Sequence, residues 1–240
     1  MKTLMSLDPT KSLERQIELA KSIGFDGVEI ILEDDAQKEI LNEKQREKLK
    51  SLIREKKMIV VFHLPNWLDI LDEKDKKEII YFSEIIKKEF NSFCDVHIHA
   101  KKSEEVKNFI YVSKEFENSN ISFENMFQDI ETLTEILDNT KIKITIDISH
   151  LLAVNNLQKS FNFLQKYKNR IFHLHFSDGM KNSHSHFALG NGTFPIPKII
   201  RFLKENFEDK TITFEIYDTN IPEIDYEISL NLFKYYYEGK

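Results

Sequence analysis

Residues 142–150 read IKITIDISH, and residues 171–178 read IFHLHFSD. Each stretch consists mainly of β-branched and aromatic residues, and each carries a chemically active group near its end, Asp147 in the first and His175 in the second. Short apolar runs of this composition are typical of buried β-strands. The two stretches therefore predict two buried strands with functional side chains at their carboxyl ends.

Similar apolar runs recur along the chain, and helical patterns separate them. Strict alternation of strands and helices favours a parallel sheet. Eight such units in 240 residues predict an α/β fold, a (β/α)8 TIM barrel formed by one domain over residues 1–240. The predicted strands are Thr3–Ser6, Gly27–Leu32, Met58–His63, Asp95–His99, Ile121–Glu124, Ile142–Asp147, Ile171–Phe176 and Thr211–Ile216.

The predicted helices each have one apolar face. In the first helix, Leu13, Ile17, Ala20 and Ile23 recur at helical spacing, and Gly24 follows as a stop signal. No GxGxxG or GxxxxGK[ST] motif occurs, so a nucleotide-binding open sheet gets no support. The other predicted helices cover residues 43–56, 75–90, 103–117, 128–138, 156–168, 197–207 and 223–237.

The composition restricts the partners and the location of the protein. The net charge of −6 argues against nucleic acid and anionic lipid as partners. The net charge does not exclude a local basic patch that binds them. The single Cys94 excludes an internal disulfide and is compatible with a reducing compartment, so we expect a cytoplasmic protein. No apolar run approaches the roughly 18 residues of a membrane span, and the start MKTLMSLDPT does not resemble a signal peptide.

The ends of the predicted strands carry carboxylates and imidazoles. In (β/α)8 barrels, the loops after the carboxyl ends of the strands form the active site. Acidic side chains are rarely buried unless they are paired or bind metal, so their convergence here predicts a divalent cation site. Carboxylates alone suit Mg²⁺ or Mn²⁺, whereas added imidazoles favour Zn²⁺, Mn²⁺, Co²⁺ or Fe²⁺. The residues at or just beyond these ends are His63, His99, Glu124, Asp147, His150, His175, His184, His186 and Glu215.

Two other histidines lie deeper in the predicted strands. His97 and His173 precede His99 and His175 by two residues, so each pair shares a strand face. We interpret His97 and His173 as packing residues or as residues that support the ligands.

Two further side chains in the predicted top-face loops are candidates for substrate binding. Trp67 either forms a wall of the substrate pocket or covers the barrel rim. Lys181 is either solvated, as exposed lysines usually are, or reaches an oxyanion or phosphate of the substrate.

The segments SIGFDGVEI, FHLP, SFENM, TIDISH, HLHFSD, SHSHFALGNG and TFEIY together resemble the xylose-isomerase-like barrels. This superfamily includes sugar isomerases and epimerases and DNA-repair enzymes of the endonuclease IV type. The resemblance extends from about residue 12 to residue 217. It implies that the family's shared metal quartet falls on Glu124, Asp147, His175 and Glu215.

The same resemblance implies roles for other histidines. His150 completes a D-x-x-H element whose histidine helps to bind substrate or a second metal. His63 and His99 match imidazoles that hold further metals in the repair branch. His184 and His186 match an Asp-x-His pair of that branch, with His184 in place of the aspartate. The segment ENMFQDIE after the fifth strand looks more like the sugar branch.

These observations predict a divalent-metal-dependent isomerase or epimerase of a small carbohydrate, namely a sugar, a sugar phosphate or a related polyol. The cofactor would be Mn²⁺, Zn²⁺, Co²⁺ or Mg²⁺. Glu124 and Glu215 would flank the substrate as base and conjugate acid. His150 would orient one hydroxyl, and His186 would bind another oxygen.

Two other functions stay open. A multi-metal phosphoester hydrolase resembling endonuclease IV, which acts on abasic DNA, would use the surplus of ligands. The acidic charge and the LEDDAQKE segment after the second strand count against it, because they repel a phosphate backbone. A degenerate barrel that serves as a scaffold has no reason to keep four convergent ligands. The sequence leaves homo-oligomerisation open.

Overall fold

Eight parallel strands close into a barrel in chain order, with β8 paired to β1. This computed structural model describes residues 1–33, 36, 40–219 and 221–239, so most of the LEDDAQKE segment lies outside the described residues. The predicted (β/α)8 fold is confirmed. The strands are β1 Lys2–Leu7, β2 Gly27–Ile31, β3 Ile59–His63, β4 Cys94–His97, β5 Ile121–Glu124, β6 Lys143–Asp147, β7 Ile171–Phe176 and β8 Thr211–Phe214.

Helices follow the strands, and within the described residues none is long and apolar enough to cross a membrane. A 3-10 turn at Lys114–Phe116 continues α4, so residues predicted as one helix form two elements. The helices are α1 Leu13–Ile23, α2 Glu43–Lys56, α3 Glu73–Phe90, α4 Ser103–Ser113, α5 Ile130–Asn139, α6 Ile148–Val154, α7 Leu157–Lys166, α8 Ile196–Phe207 and α9 Pro222–Glu238.

The short helix α6 was not predicted from the sequence. It begins directly after β6, and the Asp147 side chain caps it by accepting a hydrogen bond from the backbone N–H of His150 at 2.8 Å. An aspartate that ends a strand also supplies a strong N-cap, so the chain turns into a helix without a loop. This turn places His150 above the end of β6.

Three strands end earlier than predicted, and β2 does so by one residue, at Ile31. Strand β4 ends at His97 and not at His99, and β8 ends at Phe214, one residue before Glu215. Single backbone hydrogen bonds continue past both ends, from Ile98 N to Glu124 O at 2.8 Å and from Glu215 N to Phe176 O at 3.2 Å. The alternation of apolar residues in the sequence therefore continues past the last regular backbone hydrogen bonds of these strands.

The hydrophobic core lies between the strands and the surrounding helices, whereas much of the barrel interior is polar. Phe62, Phe176 and Phe214 are among the fully buried side chains of the core. Glu29 on β2 lies 3.1 Å from His175 on β7, a contact between non-adjacent strands that crosses the lumen. The barrel thus separates an apolar layer that stabilises the fold from a polar interior below the site.

A close approach between β2 and β3 generates the first testable prediction. A Cβ at Gly27 would lie 2.4 Å from the carbonyl oxygen of Ile59 and 2.8 Å from its Cβ. We expect Gly27→Ala to lower the free energy of unfolding by about 1–3 kcal/mol, because the two backbones must separate. Urea denaturation measures this loss, with the exposed Lys21→Ala on α1 as control. Equal midpoints for both variants would contradict the prediction.

Candidate metal centre

Four side chains from successive strand ends meet at the top of the barrel. Glu124, Asp147 and His175 come from β5, β6 and β7, and Glu215 directly follows β8. Each offers one ligand atom, and these atoms all lie within 4.8 Å of one another. The four residues are at most 5% exposed. The structure thus brings together the quartet that the sequence analysis singled out; that it binds an ion stays a prediction.

Unpaired atoms in this cluster fit a cation. His175 Nδ1 lies 3.1 Å from Glu124 Oε1 and 3.3 Å from Glu215 Oε1 but forms no hydrogen bond with any described residue. Asp147 Oδ2 and His150 Nε2 are likewise buried without a hydrogen-bond partner in the described ranges. A buried polar atom left unpaired costs about 1–3 kcal/mol. A divalent cation among these oxygen and nitrogen atoms would satisfy them, and the donor types suit Mn²⁺, Zn²⁺ or Co²⁺.

A second ligand group shares Glu124 with the quartet. His63 Nε2 lies 2.8 Å from Glu124 Oε2, and His97 Nε2 lies 3.3 Å from the same oxygen. His63 Nδ1 donates to the carbonyl oxygen of Leu64 at 2.6 Å, which keeps Nε2 as the nitrogen that faces the centre. Because Glu124 Oε1 faces His175, the two oxygens of this carboxylate serve different groups.

The structure puts His97, and not His99, beside Glu124. His97 had been interpreted as a packing or supporting residue, whereas His99 had been matched to a ligand. His99 is half-buried, its ring centroid lies 6.0 Å from that of His97, and it belongs to none of the ligand groups formed by the described residues. The end of β4 at His97 was the missing information, because the two-residue spacing alone gives both rings the same face.

Three imidazoles form a third group beside the quartet. The ring centroids of His150, His184 and His186 lie 4.9–5.1 Å apart. His186 Nδ1 lies 3.9 Å from Glu215 Oε2, which links this group to the quartet. Burial, assisted by the neighbouring His150 and His186, lowers the pKa of His184 and so favours the neutral form that binds metal.

One carboxylate that the sequence analysis did not single out holds the loop that carries His184 and His186. Asp178 is 1% exposed, and its oxygens accept hydrogen bonds from the backbone N–H groups of Gly179, Gly190 and Phe194 at 2.8–3.1 Å. A Cβ at Gly192 would lie 2.4 Å from Asp178 Oδ1. The GNG segment is therefore a tight turn around Asp178.

A cavity of about 260 Å³ opens onto the ligand groups. Its described lining contains no Lys or Arg. Trp67 is 61% exposed and lies outside this lining, and Lys181 is exposed and donates to the carbonyl oxygen of Asn155. The lining residues are Pro9, Ile31, Glu33, His63, Asn66, His97, Glu124, Met126, His150, His184, His186, Glu215 and Tyr217.

Tyr217 is a cavity residue that the sequence analysis missed. Its hydroxyl lies 2.9 Å from Ser6 Oγ and 3.3 Å from Glu215 Oε1, and its ring centroid lies 5.3 Å from that of His186. Tyr217 is 44% exposed overall, but withdrawal of its hydroxyl from water raises its pKa, and the charge of Glu215 raises it further, so the phenol stays a hydrogen-bond donor at neutral pH. The only sequence signal was its position two residues after Glu215 in TFEIY.

A comparison with protein families gives the chain its classification. A family described as xylose isomerase-like TIM barrel matches residues 99–236, more than half of the chain. The chain belongs to this family. The matched range contains the whole quartet, and the resemblance noted in the sequence is confirmed. A search of curated proteins found no match.

Solved structures with the xylose isomerase-like fold resemble the whole chain. A D-tagatose 3-epimerase-like protein has a TM-score of 0.79 at 22% identity and covers 99% of this chain and 98% of its own. The probable 3-DHS dehydratase AsbF of Bacillus anthracis has a TM-score of 0.74 at 17% identity, covering 97% and 98%. A sugar phosphate isomerase/epimerase from Parabacteroides distasonis has a TM-score of 0.72 at 12% identity, covering 99% and 94%. At these identities the likeness concerns the fold alone.

Protons compensate the buried carboxylates of this xylose isomerase-like barrel when no cation is bound. Burial alone would lower the pKa of His63, but the hydrogen bond and the charge of Glu124 outweigh it and raise this pKa to about 9. Burial would raise the pKa of Glu124, but His175 and His97 hold it well below its usual range. The charges of Glu124 and Glu215 in turn raise the pKa of His175 despite its burial.

The raised pKa of His63 predicts proton release when a cation binds. At neutral pH the metal-free protein keeps a proton on His63, because the Glu124 carboxylate raises its pKa to about 9, and a cation that Glu124 binds would neutralise the charge that holds this proton. The apparent Mn²⁺ affinity should therefore rise with pH until about 9. Calorimetry in buffers of different ionisation enthalpy counts the protons released.

Two matched variants test the assignment of His63. Changing His63→Asn should lower the proton count at neutral pH by about one, because the proton held beside Glu124 is absent from the variant. His99→Asn should leave the count as in the wild type, because His99 lies outside the ligand groups. Identical counts for the wild type and His63→Asn would refute the role of His63.

Proposed function

We propose that the protein is a divalent-metal-dependent isomerase or epimerase of a small, uncharged sugar or polyol. One observation carries this proposal: Glu124 and Glu215 approach the same nitrogen of His175, at 3.1 Å and 3.3 Å, from strand ends three strands apart around the barrel. A cation-binding position between two carboxylates matches a reaction that removes a proton from one face of a carbon and returns it elsewhere.

Different side chains would carry out different steps of such a reaction. A bound divalent cation would polarise a substrate carbonyl and stabilise the negative charge that develops on its oxygen. Glu215 would take the proton from the adjacent carbon, and Glu124 would pass to the substrate the proton that it shares with His63 through their hydrogen bond. Positioned acid–base groups of this kind contribute about 10²–10⁴-fold each. Tyr217 would hold Glu215 through its hydroxyl.

The cavity supports a small substrate without phosphate. Its volume of about 260 Å³ suits a monosaccharide-sized molecule, and neither Lys nor Arg occurs among the described lining residues to neutralise a phosphate. His150 and His186 would contact substrate hydroxyls from the cavity wall. The names of two similar structures, an epimerase-like protein and an isomerase/epimerase, agree with this class. The single buried Cys94 supports our further proposal of a cytoplasmic location.

Hydrogen exchange at carbon tests the proposed function directly. We expect the Mn²⁺-loaded protein to incorporate deuterium from D₂O into one member of a panel of ketoses and aldoses, as monitored by ¹H NMR. Glu215→Gln should slow this exchange at least about 10²-fold, because the base is lost. The exposed Glu205→Gln on α8 should exchange like the wild type. Full exchange in Glu215→Gln would refute the proposal.

A phosphoester hydrolase is the second candidate, and the shared carboxylate favours it. Glu124 joins the His63–His97 pair to the quartet, and His150, His184 and His186 add three more ligands. Two or three cations held side by side can activate water and stabilise a leaving oxygen. The lack of described basic residues around the cavity counts against a DNA substrate.

Metal content separates the two candidates. We expect about one Mn, Co or Mg per chain in the isomerase, because the quartet alone supplies enough ligands for one ion. Elemental analysis of protein purified without added metal gives this ratio, and an assay on abasic-site DNA provides the second readout. Two or three Zn per chain with cleavage of that DNA would replace the first proposal by the second.

A further inference from the structure

A second group of polar side chains lies below the metal centre, inside the barrel. Glu29 on β2, Asp95 on β4 and His173 on β7 are each 0% exposed. Glu29 Oε1 lies 3.1 Å from His175 Nε2, and Asp95 Oδ2 lies 3.7 Å from the same nitrogen. His175 therefore faces carboxylates with both of its ring nitrogens, one pair above the ring and one pair below it.

We propose that Glu29 is the positioning residue of the metal centre. It accepts the hydrogen bond from His175 Nε2–H, and the ring then presents the lone pair of Nδ1 to the cation. This inference rests on the metal binding in the proposed function, but it concerns a residue outside the ligand groups at the top of the barrel.

An imidazole that binds a cation through one nitrogen keeps its proton on the other nitrogen, which donates a hydrogen bond. Both nitrogens of His175 face carboxylate oxygens, but in the described structure only Nε2 forms a hydrogen bond, to Glu29 Oε1, so Nε2 is the nitrogen that keeps its proton. Nδ1 forms no hydrogen bond and points to Glu124 and Glu215. A carboxylate behind a ligating histidine fixes the tautomer and the ring orientation.

The neighbours of Glu29 are already engaged elsewhere. Asp95 Oδ1 accepts a hydrogen bond from Thr145, whose hydroxyl also contacts Ser122 Oγ at 2.7 Å. Both ring nitrogens of His173 contact threonine hydroxyls on β8, at 2.5 Å and 2.8 Å. The Glu29 carboxylate, by contrast, forms its hydrogen bond to His175 through Oε1, while its Oε2 lies 3.9 Å from His173 Nε2 without a hydrogen bond. Of these three groups, Glu29 is therefore the one whose hydrogen bond goes to the proposed ligand.

The position of Glu29 in the strand agrees with this role. It interrupts the apolar run of GVEII, where Val28 and Ile30 on either side pack in the hydrophobic core. A carboxylate with no exposed surface and no described Lys or Arg partner is costly to bury unless it has a specific partner. The partner here is a ring that binds the cation on its other side.

The test compares Glu29→Gln with the wild type in two measurements. Chelator competition gives the Zn²⁺ affinity, which should fall about 10–100-fold in the variant. Proton-coupled ¹⁵N NMR of histidine-labelled, Zn²⁺-loaded protein gives the tautomer of His175, assigned with His175→Asn. The wild type should show a protonated Nε2 and a metal-bound Nδ1, and the variant should lose the protected Nε2–H signal.

A matched control removes a carboxylate at the other end of the same strand. Asp26 directly precedes β2 and accepts hydrogen bonds from the backbone of Thr3 and from Lys2. Asp26→Asn should leave the Zn²⁺ affinity and the His175 signal unchanged, even if it alters the unfolding midpoint. If Glu29→Gln does not fold, the His175 tautomer measured in the wild type still tests the inference.

The outcomes separate this inference from the proposed function. A wild-type protein that binds no Zn²⁺, Mn²⁺ or Co²⁺ overturns both. A wild type that binds Zn²⁺ through Nε2 of His175, or a Glu29→Gln variant with wild-type affinity and an unchanged His175 signal, overturns only the role of Glu29. Loss of one whole ion per chain in the variant, with unchanged affinity for the rest, overturns it as well, because Glu29 would then be a ligand of an interior cation.

Discussion

This molecule depends on one constraint: several carboxylates are buried without a Lys or Arg beside them. Glu29, Asp95, Glu124, Asp147 and Glu215 are at most 5% exposed, and the buried set of described residues contains neither Lys nor Arg. Histidines are the available counter-charges among the described residues, and the carboxylates raise the pKa of His63 and of His175. A cation bound at the proposed site would compete with these protons for the same negative charges.

Much of the architecture and the quartet could be predicted from the sequence, because both depend on periodic features. The alternation of strands and helices gives the barrel, and strand ends in a barrel share one face. The interior group escaped prediction because Glu29 and Asp95 stand singly inside apolar runs, and a lone acidic residue there gives no spacing to interpret. The sequence could not show whether His97 or His99 lies beside Glu124 for another reason, because the answer depends on where β4 ends.

Two aspartates of the rim accept hydrogen bonds from backbone N–H groups, but they differ in whether an oxygen stays free for the centre. Asp147 caps α6 with Oδ1 and leaves Oδ2 unpaired toward the centre, so one side chain both ends a strand and offers a ligand atom. Asp178 uses both oxygens to fix a loop and offers none to the cavity. A carboxylate at a strand end is thus a ligand only if the backbone around it leaves an oxygen free.

The loop anchored by Asp178 has an evolutionary consequence. An isolated bridge pairs Asp178 with Phe187, so the chain between them forms a closed hairpin whose base is fixed. Met180 and Lys181 at its outer end are exposed. Substitutions and length changes there leave the base in place, which makes this tip a region where selection or a designed library can vary the chain while the anchored part of the loop is retained.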